Sequence, residues 1–238
     1  MEFQTIAWNE STYRQLVAYL EKNADESYRI FNSRIVKSSA PMLGIRMPIL
    51  QKMAKQIAKG DYEGYLSLPH DNCFEETMLE GLVIGALKLP YPKLYPLVGS
   101  FVDKIENWMV CDCFCNALKS VKRFPEDFWE YTSFLLQSDN PWHIRTGLVL
   151  MLDYFLDGEH ISEVLSRCDA VTNPHYYVQM AQAWLVSMAY VKFPAITEEY
   201  LSHCKLDSFT YNKALTKACE SRCVTEEQRE HLRSIKRN

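Results

Sequence analysis

The segment from Glu106 to Lys119, ENWMVCDCFCNALK, combines three kinds of residue that could do chemistry: cysteines, an aspartate and a tryptophan. Cysteines could hold a metal ion or exchange electrons, whereas a carboxylate beside an aromatic ring could stabilise a cation that forms during a reaction. Helical periodicity places Trp108 and Asp112, which lie four residues apart, on the same helix face. The alternative is an exposed aspartate beside a half-buried aromatic ring, and this segment alone leaves both interpretations open.

The cysteines are better explained as packing residues than as ligands. Cys111, Cys113 and Cys115 lie two residues apart, and on a helix this spacing turns Cys113 about 200° away from the other two. A zinc site generally uses Cys-x2-Cys spacing or nearby histidines, and the other five cysteines form no such pair. No residue clearly lowers the pKa of a thiol, which argues against redox chemistry. We therefore expect reduced thiols that pack as small hydrophobic residues, with no metal and no cofactor.

Positive charge is concentrated in two parts of a chain whose net charge is −4. No acidic residue occurs between Ser27 and Gly60, and the segment from Lys205 onward carries eight basic residues against five acidic ones. The basic residues of the first segment are Arg29, Arg34, Lys37, Arg46, Lys52, Lys55 and Lys59. Solvated helix faces and a cationic surface for nucleic acid explain this pattern about equally well, because binding responds to the local field.

Two large side chains interrupt apolar segments in the second half of the chain. Arg145 lies in NPWHIRTGLVLML, and Trp184 lies in YYVQMAQAWLVSMAY. Arg145 could pair with an acid between helices or clamp a phosphate, to which guanidinium geometry is suited. Core packing is the ordinary role of a tryptophan such as Trp184, and proximity to a reacting group is the alternative.

The elements that position these residues are predicted to be helices throughout, because helical periodicity dominates and the chain has only eight glycines. Helix pairs that begin near Phe74, Trp108, Trp142 and Tyr176 recur at about 34–36 residues. This repeat predicts an all-α fold, an α-solenoid of antiparallel helix pairs (HEAT-like or armadillo-type repeats) with a concave face. No linker rich in glycine or serine divides the chain, so we expect one domain, residues 1–238.

The sequence also predicts where the protein resides. No apolar run approaches the about 20 residues that cross a bilayer. The first ten residues, MEFQTIAWNE, lack the basic start and apolar core of a signal peptide. We expect a cytoplasmic monomer without membrane association.

An ordered series of segments resembles the bacterial DNA alkylation repair proteins of the AlkD-like family, which are HEAT-like repeat DNA glycosylases. The segments are LGIRMPILQKMAK, EETMLEGLVIGALK, NWMVCDCFCNALK, DNPWHIRTGLVLML, AQAWLVSMAY and SFTYNKALTKACES, and they cover most of the chain. The resemblance implies that Asp112 is the catalytic aspartate and that Trp108 and Trp184 are active-site tryptophans. It also implies that Arg145 contacts the DNA backbone, and that the solenoid's concave face binds DNA.

One position departs from the family pattern. The best-known members carry an active-site tyrosine eight residues before the Leu-Gly-Ile motif, and counting back from Leu43 gives Ile35. The departure bears on substrate range and on catalytic efficiency, because relatives in this superfamily include DNA-binding proteins without glycosylase activity.

The resemblance implies a hydrolase, a monofunctional glycosylase that removes cationic N3- or N7-alkylpurines from double-stranded DNA. Cleavage builds positive charge on the sugar, which Asp112 would stabilise while Trp108 and Trp184 pack against the deoxyribose and lesion. Sequence-independent contacts to the DNA backbone would come from Lys37, Arg46, Lys52, Lys213 and Lys217. Whether the lesion leaves the base stack is open.

Two alternatives come from other functional classes. A non-catalytic scaffold on the same fold would bind distorted or branched DNA without releasing a base. A protein–protein adaptor, the commonest use of an α-solenoid, would need no cationic concave face.

Overall fold

In the computed structural model, which describes residues 2–238, all regular secondary structure is helical, as predicted. The described residues form α1 (Glu10–Lys22), α2 (Glu26–Ile35), α3 (Met47–Ile57), α4 (Tyr62–Leu66), α5 (Phe74–Ala86), α6 (Tyr91–Val102), α7 (Trp108–Ala117), α8 (Pro125–Leu136), α9 (Pro141–Tyr154), α10 (Ile161–Ala170), α11 (Tyr176–Lys192), α12 (Pro194–His203), α13 (Ser208–Glu220) and α14 (Glu226–Ser234). Short 3-10 segments occur at Phe3–Thr5 and Lys119–Arg123. None of these helices is long and apolar enough to span a membrane.

The helices are grouped in two compact units, one that ends at Phe124 and one that runs from Pro125 to Asn238. In the first unit α5 packs against both α3 and α7, and in the second α11 packs against both α9 and α13. Stacking of alternate helices is the arrangement of an α-solenoid, so this part of the fold prediction is confirmed within each unit. The single domain, the HEAT-like repeat type and the concave face stay predictions.

The predicted repeat positions coincide with observed helix starts. Helices α5, α7, α9 and α11 begin at Phe74, Trp108, Pro141 and Tyr176, and only the third differs from its predicted start, by one residue. The start of α9 shows the physical cause, because the Asn140 side chain accepts a hydrogen bond from a backbone N–H and a proline follows at the first helical position. These local signals are readable from sequence.

Helix α5 forms the centre of the first unit, and eleven of its thirteen residues are buried, as its apolar sequence predicts. One of them, Glu75, is 2% exposed and accepts hydrogen bonds from the backbone N–H groups of Leu43, Gly44 and Ile45, at 3.0, 2.6 and 3.2 Å. Gly44 has a φ of 87°, and a Cβ there would lie 2.4 Å from the Asp25 carbonyl oxygen. The Leu-Gly-Ile motif is therefore a turn whose amides surround a buried carboxylate and whose glycine packs against the start of α2.

Candidate functional site

Trp108 and Asp112 both lie on α7, in the first unit. The helix begins at Trp108 because the Asn107 side chain accepts a hydrogen bond from the Val110 N–H at 3.0 Å. Trp108 and Asp112 are half-buried and one helical turn apart, so they share a face. The indole Nε1 of Trp108 donates to the carbonyl oxygen of Ile35 at 3.1 Å. The last residue of α2 therefore fixes the tryptophan ring through its backbone.

Asp112 lines a cavity of about 810 Å³ in the first unit, which we call the α7 cavity. Its walls come from α3, the end of α5, α7 and the 3-10 segment that follows α7. The approach of α5 to α7 requires a glycine, because a Cβ at Gly85 would lie 2.7 Å from the Cβ of Ala117. Five exposed basic residues line the mouth: Lys55, Lys59, Lys88, Lys119 and Arg123. The cavity thus combines one carboxylate with a cationic mouth, which attracts an anionic polymer such as nucleic acid.

The basic residues predicted in the N-terminal half differ in their surroundings. Lys37 and Lys52 are exposed, and Lys52 lines a smaller groove of about 290 Å³ together with Lys55 and Lys59. Arg46 is also exposed, but its Nη2 lies 2.7 Å from Oδ2 of Asp25, which caps α2. Lys52 and Lys55 of α3, and Lys59 just after its end, are therefore brought together beside the α7 cavity, while Arg46 is already ion-paired.

The cysteines of α7 behave as packing residues. Cys111 and Cys115 have no exposed surface, and Cys113 lines the α7 cavity. Burial, followed by the negative charge of Asp112, raises the pKa of the Cys113 thiol to about 11, so the nucleophilic thiolate is disfavoured at neutral pH. All eight cysteines are free thiols. Within residues 2–238, no cluster of three or more histidine, cysteine, aspartate or glutamate side chains is arranged to hold a metal ion.

Arg145 and Trp184 lie on α9 and α11, the packed helices of the second unit. Arg145 is 5% exposed, and its Nη1 donates to the carbonyl oxygen of Tyr177 at 2.7 Å. Its guanidinium carbon lies 6.0 Å from the centre of the Tyr177 ring. Trp184 is half-buried on α11. The guanidinium is therefore held by the backbone of the next helix of the stack.

Lys213 and Lys217 lie one turn apart on α13, both half-buried. Lys213 lies near an aromatic cluster at the first residues of α9, α11 and α13, which was not predicted from the sequence. Its members are Trp142, His175, Tyr176, Tyr177 and Phe209. Tyr176 is 54% and Phe209 is 42% exposed, and the Lys213 Nζ lies 5.9 Å from the Phe209 ring centre. The signal was readable, because aromatic residues recur at the starts of alternate helices, and exposed aromatics beside cations are typical of nucleic-acid surfaces.

The chain was compared with models of known protein families. The family model described as DNA alkylation repair enzyme matches residues 16–222, which include α7 and the α9–α11 pair. Among curated proteins, no sequence matches the chain.

Proposed function

Because the chain belongs to the DNA alkylation repair enzyme family, we propose that it is a DNA glycosylase acting on cationic N3- or N7-alkylpurines in duplex DNA. The proposed enzyme is monofunctional, so it hydrolyses the N-glycosidic bond and leaves the DNA backbone intact. The observation that carries the proposal is Asp112, a carboxylate that lines a cavity with a cationic mouth and lies one turn from Trp108.

The chemistry follows from the charge of the substrate. Alkylation at N3 or N7 makes the purine cationic, so the base departs neutral with the electron pair of the C1′–N bond and needs little acid assistance. Positive charge then develops on the deoxyribose, where the carboxylate of Asp112 stabilises it electrostatically. Water adds to C1′ and loses a proton, for which the same carboxylate is an acceptor. The Trp108 ring, fixed by the Ile35 carbonyl, offers a π face to the cationic sugar.

The DNA backbone is proposed to bind at the mouth of the α7 cavity. Exposed lysines and arginines make phosphate contacts that carry affinity but no sequence information. In the second unit, Lys213 and Lys217 are proposed to extend these contacts, with Arg145 near a phosphate and Trp184 near the lesion. Double-stranded DNA with an alkylated base is therefore the proposed partner, bound by one copy of the protein.

The decisive experiment measures base release and DNA binding separately. A duplex with one N7-methylguanine is incubated with excess protein, and the free base is quantified against the spontaneous loss without protein. We expect release well above the spontaneous rate, together with binding that weakens as salt rises. Salt-sensitive binding without release would favour the non-catalytic scaffold. Absence of duplex binding at low salt would favour a protein–protein adaptor.

Lys55 on α3 and Lys59 just after the end of that helix are expected to contribute to the salt dependence of DNA binding. Substitution of both Lys55 and Lys59 by alanine should make the slope of the logarithm of the association constant against log salt concentration less negative by about 2, since each phosphate contact contributes about −0.9. Affinity is measured by fluorescence anisotropy between 50 and 200 mM salt. Over this range the affinity of a protein that makes several phosphate contacts falls about 10³-fold. The matched control replaces Lys22 and Lys93, two exposed lysines of the same unit that line neither groove. An unchanged slope in the Lys55/Lys59 variant would contradict a backbone contact there.

Isoleucine at position 35 is expected to limit the rate of base release. Its side chain is 46% exposed, and its carbonyl holds Trp108, so Ile35→Tyr adds an aromatic face beside that ring without removing the backbone hydrogen bond. We expect base release to rise about two- to fivefold, the scale of an exposed cation–π contact of about 0.5–1 kcal/mol. The control is Ile196→Tyr, at an isoleucine that is 38% exposed in the second unit. A rate that does not rise would show that this position does not face the sugar.

A further inference from the structure

The second unit contains a cavity of about 830 Å³ for which the proposed function has no use, and we call it the α10 cavity. Its walls come from α10, α11 and α12 and from the segments that precede α11 and α13. None of the second-unit residues that are proposed to contact DNA lines it, and these are Arg145, Trp184, Lys213 and Lys217. Pockets for small molecules have volumes of about 300–1,000 Å³, so the α10 cavity is large enough to hold one.

Negative charge prevails among the residues that line the α10 cavity. The carboxylates are Asp169 on α10, Glu199 on α12 and Asp207 just before α13. Among the described residues of the lining, Lys205 is the only lysine or arginine, and His203 is the only histidine. The lining also includes apolar side chains, among them Leu165, Ile196 and Leu206. A cavity with this composition attracts organic cations and disfavours phosphates, in contrast to the α7 cavity.

A buried amide supplies this cavity with an acceptor that has no donor. Gln182 of α11 lines the cavity and is 3% exposed. Its Nε2 donates to the carbonyl oxygens of Cys168 and Val171, at 2.9 and 3.0 Å, and these two bonds fix the orientation of the amide. Within residues 2–238, no hydrogen bond reaches the Oε1 of Gln182. Because a buried acceptor without a donor costs free energy, this oxygen calls for an N–H or O–H group from outside the chain.

Asp169 is held in place beside this amide, since it lies between the two residues whose carbonyls Gln182 binds. Its Oδ1 accepts from the Tyr200 hydroxyl at 3.1 Å and from the Lys205 backbone N–H at 2.8 Å. Burial raises the pKa of Tyr200, so its hydroxyl stays a donor at neutral pH. In the part of the chain that the structure describes, no hydrogen bond reaches Oδ2. Two acceptors, Oδ2 of Asp169 and Oε1 of Gln182, are therefore fixed at the end of α10.

We propose that the α10 cavity binds a linear polyamine, an organic cation in which methylene segments separate ammonium groups. One ammonium has several N–H donors, so it can serve Asp169 and Gln182 together. Glu199 attracts a second ammonium, and the methylene segments pack against the apolar part of the lining. A metal ion fits less well, because no three histidine, cysteine, aspartate or glutamate side chains of residues 2–238 are grouped to hold one. Binding requires neither DNA nor base release, so this proposal is independent of the proposed function.

The test titrates spermidine into the protein without DNA and follows binding by isothermal titration calorimetry. We expect saturable binding of one spermidine per chain. Asp169→Asn keeps an oxygen for Tyr200 and Lys205 but loses the charge, so it should weaken binding roughly tenfold, the scale of a hydrogen bond to a charged group. Glu199→Gln should weaken binding about two- to fivefold, the scale of an exposed ion pair. The matched control is Glu159→Gln, at an exposed glutamate of the second unit that does not line the cavity.

Each outcome supports or overturns the polyamine site. Absence of spermidine binding, or an equal loss of affinity in Glu159→Gln and Glu199→Gln, would overturn it. Glu199 is exposed, so its variant is expected to fold and decides the matter if thermal melting shows that Asp169→Asn is unfolded.

Two further titrants test the chemistry of the ligand. Mg²⁺ carries positive charge without methylene segments, and Mg²⁺ binding as tight as that of spermidine would reduce the site to unspecific attraction and overturn the proposal. Trilysine carries ammonium groups on a peptide, and binding of trilysine without binding of spermidine would assign the cavity to a basic peptide instead. None of these results bears on base release, which the duplex experiment measures separately.

Discussion

Asp112→Asn is expected to lower the rate of base release from N7-methylguanine duplexes at least ~100-fold, the scale of losing one electrostatic group that stabilises a transition state. Asparagine has nearly the same shape and keeps a polar side chain, but it lacks the negative charge that offsets the cationic sugar. The charge matters little before the glycosidic bond breaks, so the loss should appear in the reaction rate. Single-turnover measurement with excess protein isolates this rate from binding and product release.

The controls for Asp112→Asn use the same helix and the same cavity. Cys113→Ala changes the adjacent residue, which also lines the α7 cavity, and we expect its rate to match that of wild type because the thiol is held neutral. Duplex affinity of Asp112→Asn should stay equal or increase, since a negative charge near phosphates is removed. A wild-type rate in Asp112→Asn would show that the reaction does not use this carboxylate. A large fall in its melting temperature would indicate a structural role.

The residues that start and end helices could be predicted from sequence because their signals are local. Asn107 before Trp108, and Asn140 before Pro141, are cap and first-turn residues that act on amides only two or three positions away. The shared face of Trp108 and Asp112 follows from the same helical period. The all-α fold and one pair of candidate residues were therefore within reach of the sequence.

The α7 cavity could not be predicted in the same way. Two of the residues that line it, Gly85 of α5 and Ala117 of α7, are far apart in sequence. They lie in close contact because residue 85 is a glycine. Lys55 and Lys59 were visible as part of a basic segment, but their position beside Asp112 depends on how α3, α5 and α7 stack. Periodicity gives the faces of helices, whereas the neighbours of each face are set by tertiary packing.

Arg145 shows a related limit. Its sequence context left open an ion pair or a phosphate contact, and the structure adds a contact of another kind, a hydrogen bond to the Tyr177 carbonyl. Backbone groups are the same at every position, so a sequence does not show which carbonyl or amide a buried charge will meet. Glu75 was missed for the same reason, although its three amide donors belong to a motif that the sequence analysis had singled out.

Glu75→Ala is expected to lower the free energy of unfolding by about 3–5 kcal/mol, because each buried N–H left without an acceptor costs about 1–3 kcal/mol. Leu43 donates to Oε2, while Gly44 and Ile45 donate to Oε1. Glu75→Gln keeps one oxygen and loses the other, so it should cost less than alanine. Urea denaturation followed by tryptophan fluorescence measures both, with Glu63→Ala as the control at an exposed glutamate of α4.

The order of these losses distinguishes two explanations of why a carboxylate is buried there. If individual hydrogen bonds to the turn dominate, stability should fall from wild type to Glu75→Gln and further to Glu75→Ala. If the negative charge itself dominates, through its attraction to three converging amide dipoles, Glu75→Gln should be as unstable as Glu75→Ala. Because the Asp25 N–H donates to the Gly44 carbonyl at 3.2 Å, loosening the turn also loosens the start of α2. Since the last residue of α2 holds the Trp108 ring through its carbonyl, both variants are expected to slow base release before the protein unfolds. An unchanged rate in a destabilised Glu75→Ala would show that the turn does not position α2.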